Sequence, residues 1–325
     1  PHHAAKLVRA ATSLSSSSRG LRARLHPPRL ASSSSSSSPR SRTPSVSTTT
    51  RAVMGSSSRF ADAWGRSRPN PAVEAELREK KKATRKEVKE ALREMSAERR
   101  AEDGAAIASR LLATLPCFRV GASDDEREDK RFALYVPCEK LMEVDATPII
   151  DAALRLPYSR VYVPVVDGAA NAEDDTPPRM RFLRVTDRAK DLVAKELFKG
   201  VEILEPTETT ADGAPREDVM HDDDEDVPLD YIVVPGMAFT PNGDRLGRGG
   251  GFYDAFLTAY ERRCKEKQWT TPTLIGLSFT EQILLQGTLP VGARDVGMDV
   301  IFTPNSTATC TSKGIRLVTS FKDPE

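Results

Sequence analysis

The spacing of apolar residues predicts two consecutive helices after residue 71. Over 72–95, apolar side chains recur at steps of mostly three or four, the period of an amphipathic helix: Val73, Leu77, Val88, Leu92 and Met95. Ser96 can cap a second helix over 97–115, which Pro116 ends. The middle of the first helix is basic, with Lys80, Lys81, Lys82, Arg85 and Lys86. A solvated face is the simplest interpretation of such a run.

Three further helices and six strands are predicted beyond residue 130. Thr147 as an N-cap followed by Pro148 predicts a helix that ends at Leu154. Helices are also predicted over 190–198 and 252–264. Apolar stretches, some of them alternating, predict strands over 131–136, 161–166, 180–185, 229–234, 274–278 and 300–302. Strands that alternate with helices favour an α/β fold, in which a mostly parallel sheet carries helices on both faces.

The first 61 residues differ in composition from the rest. They hold 18 serines, nine arginines and one lysine, and the first acidic residue is Asp62. Such a segment buries too little apolar surface to offset the entropy of ordering, so disorder is predicted. A Ser- and Arg-rich, acid-free composition is typical of a transit peptide, for which we expect the mitochondrion rather than the plastid. A plain basic tail is the alternative, and an internal start at Met54 would give a cytosolic form.

Composition also excludes several classes of protein. Beyond residue 61 the chain holds 38 basic and 47 acidic side chains, and this balance of −9 argues against a nucleic-acid partner. No stretch approaches 18 consecutive apolar residues, so no membrane-spanning helix is predicted. The four cysteines form no CxxC pair, which disfavours a zinc site or a disulfide framework. The acidic run Asp222–Asp226, in a predicted loop over 206–226, is interpreted as a solvated insertion.

A glycine-rich loop between the predicted strand at 229–234 and the predicted helix at 252–264 is the strongest candidate site. The loop contains Gly247, Gly249, Gly250 and Gly251. Glycines lack Cβ atoms, so the backbone N–H groups of the loop can closely approach a ligand. The following helix N-terminus favours negative charge, and Arg245 and Arg248 add cations suited to phosphate. The pattern predicts a polyphosphate site that is neither a Walker loop nor a dinucleotide fingerprint. A flexible turn and an RNA-binding Arg-Gly-Gly element are the alternatives.

Two aspartates are candidate magnesium ligands. Asp254 lies one helical turn beyond the glycines, where its carboxylate can hold a magnesium ion against bound phosphates. A carboxylate that complements the helix dipole is the alternative interpretation of this residue. Asp295, in the loop after Pro290, is the second candidate. None of the four histidines lies near this region in sequence, so no histidine-assisted nucleophile is expected.

These residues resemble the signature of one family, the 5-formyltetrahydrofolate cyclo-ligases, also called methenyltetrahydrofolate synthetases. The glycine signature runs through Val234-Pro235-Gly236, Phe239, Asn242-Gly243 and Arg245–Asp254. The similarity also includes Lys81-Lys82 with Arg85, Leu92-Arg93, Met95-Ser96, Tyr135-Val136, Glu143-Val144-Asp145 with Thr147, and Arg294-Asp295 with Met298-Asp299. It covers about 75–302 of the chain.

The resemblance implies a single three-layer α/β/α domain, which we place over 72–302, with 303–325 as a C-terminal tail. It implies ATP- and magnesium-dependent ring closure of 5-formyltetrahydrofolate to 5,10-methenyltetrahydrofolate. ADP and phosphate would be released, through a phosphorylated formyl (imidate) intermediate. We expect a monomer with a small-molecule substrate, and neither nucleic acid nor a membrane as partner.

The resemblance also implies site residues, carried over position by position. Nucleotide contacts are expected from Lys81, Arg85, Arg245, Leu246, Gly247, Arg248, Gly249, Gly250, Gly251, Phe252 and Tyr253. Folate contacts are expected from Val136, Glu143, Arg248, Gly249, Gly250, Gly251 and Phe252. Arg248 and Tyr253 are the expected catalytic residues, and Asp254 and Asp295 the expected metal ligands.

One position departs from the family pattern. Many members read Gly-Tyr-Tyr-Asp where this chain has Gly251-Phe252-Tyr253-Asp254. An aromatic face is kept for stacking, but a hydroxyl is lost. The alternative function is therefore a diverged, non-catalytic module that binds nucleotide, folate or RNA. A small-molecule kinase fits less well, because no residue is placed as its catalytic base.

Overall fold

The computed structural model describes residues 70–119, 121–123, 129–168, 177–198, 200–220 and 227–319. The predicted leader over 1–61, Met54, the acidic run Asp222–Asp226 and the last residues of the predicted tail, 320–325, lie outside the described part of the chain. Within the described part, no helix has both the length and the apolar character needed to cross a membrane.

Six α-helices and eleven strands form the described part of the domain. The helices are α1 (Pro71–Glu94), α2 (Ala97–Thr114), α3 (Thr147–Arg155), α4 (Arg188–Asp191), α5 (Phe252–Lys267) and α6 (Ser312–Thr319). The strands are β1 (Arg131–Ala133), β2 (Arg160–Gly168), β3 (Arg179–Val185), β4 (Leu192–Phe198), β5 (Val201–Pro206), β6 (Tyr231–Val234), β7 (Ala238–Phe239), β8 (Arg245–Leu246), β9 (Thr273–Leu277), β10 (Val300–Phe302) and β11 (Thr307–Thr309). Short 3₁₀ turns lie at Pro116–Phe118, Glu139–Leu141 and Thr280–Gln282.

The central sheet has seven strands in the order β11-β10-β9-β6-β1-β2-β3. The five strands from β10 to β2 are mutually parallel, whereas β11 and β3 run antiparallel at the two edges. Two small ribbons, β4-β5 and β7-β8, are separate from this sheet. The predicted α/β fold with a mostly parallel sheet is confirmed.

Each face of the sheet carries its own apolar core. On one face, Phe132 and Val163 pack in a cluster with Leu92 of α1, Leu111 of α2 and Ile149 of α3. On the other face, the neighbouring strand positions belong to a second cluster with α5: Ala133, Tyr162, Ile232, Val234, Phe256, Leu257 and Tyr260. Side chains of successive strand residues point to opposite faces, so apolar runs in the strands fill both cores. The result is a three-layer α/β/α arrangement.

Several local predictions need correction. The helix predicted over 190–198 is wrong, because only Arg188–Asp191 is helical and Leu192–Phe198 forms strand β4, paired with β5. Thr147 is the first helical residue of α3 rather than its cap, and Asp145 accepts a hydrogen bond from its N–H at 2.9 Å. In the segment 303–325, expected as a tail, the described residues include β11 at the sheet edge and α6, whose Leu317 joins the core.

Candidate active site

The candidate site lies at the carboxyl edge of the parallel strands β9, β6 and β1, which are neighbours in the sheet. Carboxyl ends of parallel strands face one edge, so the segments that follow these three strands meet there. They carry Asp295 after β9, the glycine loop after β6 and Glu143 after β1. Strand β1 pairs with β2 on one side and with β6 on the other. The chain continues from β1 to β2, so the glycine loop, which follows β6, lies at a topological switch point.

The glycine loop connects β8 to α5 and uses backbone conformations that favour glycine. Gly249 has φ 110° and Gly251, the N-cap of α5, has φ 73°. Side chains are strained in this region of backbone space. A Cβ on Gly249 would also lie 3.5 Å from the guanidinium carbon of Arg85. The loop is therefore shaped by its glycines and lies directly against a cation from helix α1.

Helix α1 contributes one basic side chain to this loop and one to the segment that carries Asp295. Lys81 Nζ lies 2.6 Å from Oδ1 of Asp295, and each of these side chains is 16% exposed. Arg85 Nε donates a 2.8 Å hydrogen bond to the carbonyl oxygen of Gly247. Burial lowers the pKa of Arg85, while the carboxylates of Asp295 and Asp254 act in the opposite direction. Arg85 therefore lies within electrostatic reach of both candidate metal ligands.

The other basic residues of this helix behave differently. Lys80 and Lys82 are mostly exposed, and they pair with Glu76 and Glu79 on the same helix. The solvated-face interpretation of the basic run therefore holds for these two residues. It does not hold for Lys81 and Arg85, which lie four residues apart on one face of the helix and contact Asp295 and Gly247.

Arg245 and Asp254 form a buried ion pair beneath the loop. Arg245 Nη2 donates to Oδ1 of Asp254 at 2.6 Å, and the two side chains are 2% and 14% exposed. Arg245 Nη1 also donates to the carbonyl oxygen of Pro235 at 3.3 Å. The same Oδ1 of Asp254 accepts the N–H of Val296 at 3.1 Å. Since Val296 follows Asp295, this hydrogen bond holds the two candidate metal-binding segments together.

Arg248 and Glu143 form a second ion pair on the other flank of the loop. Arg248 Nε donates to Glu143 Oε1 at 2.9 Å, and Arg248 Nη2 donates to the carbonyl oxygen of Leu141 at 2.5 Å. Glu143 Oε2 accepts the N–H of Cys138 at 3.0 Å. Two residues that the sequence assigned to the folate side are thus in direct contact, although 105 positions separate them.

The aromatic residues after the glycines are held in different ways. Tyr253 packs edge-on against Phe182, with ring centroids 6.3 Å apart. Burial raises the pKa of Tyr253 above its ordinary range, the Glu143 carboxylate adds to this and Arg245 opposes it. The phenol is therefore neutral, which disfavours it as a proton acceptor. Phe252 is half-buried and packs against the α5-side core.

The remaining predicted residues occupy the surroundings of the two ion pairs. Leu246 is 1% exposed, so its side chain belongs to the core. Val136 packs against the core on the β1 side, where Tyr135 donates a 2.6 Å hydrogen bond to the carbonyl oxygen of Val144. A Cβ on Gly250 would lie 2.7 Å from the ring of Phe252. Every predicted site residue therefore belongs to the segments that meet at this sheet edge or to α1.

The carboxylates suit an open magnesium site rather than a closed metal cage. Among the residues that the structure describes, no cluster of three or more His, Cys, Asp or Glu could hold a metal. Asp254 and Asp295 are two carboxylates beside a loop suited to phosphate. Magnesium is commonly bound by one or two carboxylates together with substrate phosphates and water. The donor set therefore fits this ion.

Sequence reasoning missed two residues that support the loop. Gln282 is 2% exposed and donates to the carbonyl oxygens of Gly236 and Met237, at 2.9 and 3.2 Å. Met237 Sδ in turn accepts a 3.3 Å contact from Arg248 Nη1. The one available signal was a glutamine between Phe279 and the apolar run Ile283–Leu285. A buried polar side chain in such a position must find hydrogen-bond partners.

Comparison with known proteins shows the family to which this chain is similar. The profile of the 5-formyltetrahydrofolate cyclo-ligase family matches residues 77–304. An Arabidopsis thaliana protein named 5-formyltetrahydrofolate cyclo-ligase, mitochondrial, is 35% identical over 72% of this chain and 77% of its own. A Caenorhabditis elegans protein named probable 5-formyltetrahydrofolate cyclo-ligase is 32% identical over 54% of this chain and 73% of its own.

Among solved structures, the NMR structure of Aquifex aeolicus 5,10-methenyltetrahydrofolate synthetase is similar to this chain. It is 26% identical, covers 71% of this chain and 93% of its own, and superposes with a TM-score of 0.49. The family match itself spans most of the domain and includes Lys81, the glycine loop and Asp295. The chain therefore belongs to the 5-formyltetrahydrofolate cyclo-ligase family.

Proposed function

We propose that this protein catalyses the ATP- and magnesium-dependent cyclisation of 5-formyltetrahydrofolate to 5,10-methenyltetrahydrofolate, with release of ADP and phosphate. The observation that carries the proposal is that Arg85 contacts a glycine loop that follows Arg245 and contains Arg248, while Lys81 contacts Asp295 on the neighbouring segment. Asp254 and Asp295 are paired with two of these cations. This is the chemistry that a polyphosphate requires, in a chain that belongs to a cyclo-ligase family.

The reaction needs an activated formyl oxygen. An N-formyl group is an amide, so its carbonyl is a poor electrophile and its oxygen a poor leaving group. Transfer of the γ-phosphoryl group of ATP to this oxygen gives a phosphorylated imidate and ADP. Attack by N10 on the formyl carbon then closes the ring, with loss of the N10 proton and of phosphate. Phosphoryl transfer depends on positioning and charge neutralisation more than on a protein nucleophile.

The residues of the loop supply that positioning. Backbone N–H groups of Gly247–Gly251 and the N-terminus of α5 would hold phosphate oxygens. Lys81 and Arg85 would contact the nucleotide from α1. Arg248 would act between the two substrates, because Glu143 fixes its guanidinium on the folate side while its backbone lies in the loop. We assign Tyr253 a neutral hydrogen-bonding or packing role within electrostatic reach of Glu143 and Arg245.

Magnesium would be held by Asp254 and Asp295 and would neutralise charge on the transferring phosphoryl group. Asp295 is engaged by Lys81 and by the N–H of Gly292, at 2.6 Å for each contact. Asp254 uses Oδ1 for Arg245 and for the N–H of Val296. The hydrogen bonds from the N–H groups fix the orientation of each carboxylate.

The test of the reaction uses the full chain with 5-formyltetrahydrofolate and magnesium, with and without ATP. Near-ultraviolet absorbance follows the methenyl product. A rise that requires ATP supports the proposal. A folded protein that gives no rise would refute it and would favour the non-catalytic binding module.

Arg248 tests the site assignment. Replacing it by alanine removes a cation placed to stabilise charge that develops in the transition state, so turnover should fall by about 10²–10³-fold. Arg262→Ala on the exposed part of α5 is the matched control and should retain wild-type turnover. Full ATP-dependent turnover in Arg248→Ala would contradict the assignment.

We also propose import into the mitochondrion. The Ser- and Arg-rich, acid-free composition of 1–61 supports this, as does the name of the Arabidopsis thaliana relative. Fusion of residues 1–61 to a fluorescent protein should direct it to mitochondria. Accumulation in plastids or in the cytosol would contradict the proposal.

We expect the protein to be a monomer. Analytical sedimentation can measure its oligomeric state.

A further inference from the structure

A buried glutamine lies behind the glycine loop, on the segment that follows β9. The side-chain oxygen of Gln282 accepts the N–H of Phe279 at 2.9 Å. Its side-chain nitrogen donates to the carbonyl oxygens of Gly236 and Met237, which lie 46 and 45 positions away. The carboxamide thus joins two loops that follow adjacent parallel strands, β9 and β6.

The segment around Gln282 is firmly anchored. Phe279 is 1% exposed and belongs to the core on the α1 side. Glu281 forms a 2.7 Å ion pair with Arg99 of α2. The N–H of Leu284 donates to the carbonyl oxygen of Phe239 in β7 at 2.8 Å. The carboxamide of Gln282 is therefore held in place and can fix the positions of the two carbonyl oxygens to which it donates.

The turn that Gln282 holds leads to the glycine loop by a short route. The N–H of Met237 donates to the carbonyl oxygen of Leu246 at 2.7 Å, which starts the β7-β8 ribbon. Strand β8 ends at Leu246, directly before the loop. Met237 Sδ also contacts Arg248 Nη1 at 3.3 Å. The position of the turn therefore affects the position of Arg248 in two ways, through the β7-β8 ribbon and through the sulfur of Met237.

We propose that Gln282 is a positioning residue for the cyclo-ligase reaction, which fixes the Gly236–Met237 turn and thereby sets the guanidinium of Arg248. The inference rests on the proposed function. Gln282 acts through Met237 and is not itself placed to touch substrate. Loss of its two donor bonds lets the turn shift, and a misplacement of about 1 Å in a catalytic group can lower turnover by about 10²-fold.

Two variants separate positioning from simple packing. Gln282→Met keeps a similar length without hydrogen bonds. Gln282→Glu keeps the acceptor for the N–H of Phe279, and because burial favours the neutral carboxyl group, its O–H can still donate to one of the two carbonyl oxygens. The controls are Gln286→Met, the same exchange at an exposed glutamine, and Glu281→Gln, which weakens the neighbouring ion pair. Thermal unfolding of each variant shows the folded fraction at the assay temperature.

In Gln282→Met, kcat and kcat/KM should fall together by about 10²-fold, as expected when an interaction specific to the transition state is lost, and in Gln282→Glu they should fall less. The affinity for 5-formyltetrahydrofolate and the folded fraction should change little, and both controls should match the wild type. Unchanged kcat in Gln282→Met, or a Gln282→Glu protein less active than Gln282→Met, would overturn the proposal. A loss of activity that equals the loss of folded protein would overturn it as well.

A second readout does not depend on turnover. Amide hydrogen exchange of 245–251 should speed up in Gln282→Met relative to Gln286→Met, while exchange in the sheet strands stays the same. Equal exchange in the loop would overturn the positioning role. If the wild type proves inactive, the proposed function fails, but this comparison still decides whether Gln282 sets the loop.

Discussion

Replacing Asp254 by alanine should strongly destabilise the protein, because the charge of Arg245 would stay buried without its counter-ion. The Arg245 side chain is 2% exposed and lies 2.6 Å from Asp254. Its Nε is already without a hydrogen-bond partner among the described residues. Removing one partner of a buried ion pair costs about 3–5 kcal/mol. At about 2–4 °C per kcal/mol for a domain of this size, Tm should fall by roughly 6–20 °C.

Thermal and urea unfolding of three variants measure this effect. Asp254→Asn keeps an oxygen that can accept from Arg245 and from the N–H of Val296, so its loss of stability should be smaller. Replacing both Arg245 and Asp254 by leucine removes both charges, and such exchanges are often close to neutral. The double variant should therefore be more stable than Asp254→Ala. If Asp254→Ala unfolds at the wild-type temperature, the pair is not a buried one and the reasoning is wrong.

The same result decides how the metal site is tested. A loss of activity in Asp254→Ala would mix metal binding with instability. Asp254→Asn removes the negative charge that magnesium prefers while it preserves the hydrogen bonds of the loop. A raised magnesium requirement in an Asp254→Asn protein that is still folded at the assay temperature is the expected signature of a metal ligand.

Lys81, Gly249 and the Asp191–Arg216 ion pair can each be tested by a single substitution. Lys81→Met removes a proposed charge-assisted contact with the phosphates of ATP, worth about 1.5–3 kcal/mol, so the Kd for ATP with magnesium, measured by titration calorimetry, should rise about 10–150-fold. Gly249→Ala forces a side chain to φ 110°, and this backbone strain should cost about 1–3 kcal/mol in urea unfolding and should lower turnover. Burial alone would raise the pKa of Asp191, but hydrogen bonds, that of Arg216 foremost, lower it to about 2. A depressed pKa stabilises the fold above the unfolded pKa of about 4. This stabilisation is lost as pH falls towards 2, so acid unfolding of Asp191→Asn should depend less on pH between these values.

The elements set by local signals were predictable from the sequence. Ser96 accepts the N–H of Arg99 at 3.1 Å, so the boundary between α1 and α2 lies where the cap placed it. The strands of the parallel sheet were found because buried strands are continuous apolar runs. The glycine loop was found because its signal is local: the glycines that give the backbone its freedom lie next to one another in the sequence.

Contacts between distant segments decided the features that were missed. Leu192–Phe198 fits a helical or an extended period, and its antiparallel pairing with Val201–Pro206 selects the strand. Strand β11 exists because β10 offers an edge to pair with. Gln282 could not be assigned at all, since its partners Gly236 and Met237 reach it only when β9 and β6 are adjacent.

Under the proposed function, the charges of the site predict that nucleotide and magnesium bind together. Four cations, Lys81, Arg85, Arg245 and Arg248, face three carboxylates, Glu143, Asp254 and Asp295, which leaves a single net positive charge. A nucleoside triphosphate brings about four negative charges, so the protein alone neutralises only a part of them.

Asp295→Asn tests this charge balance. The change adds one net positive charge and frees Lys81 from its 2.6 Å ion pair. ATP binding without magnesium should therefore become tighter than in the wild type, while the gain that magnesium gives should shrink. Titration of ATP with magnesium and with a chelator measures both quantities. An Asp295→Asn protein that binds metal-free ATP more weakly than the wild type would show that Asp295 does not hold Lys81 away from the phosphates.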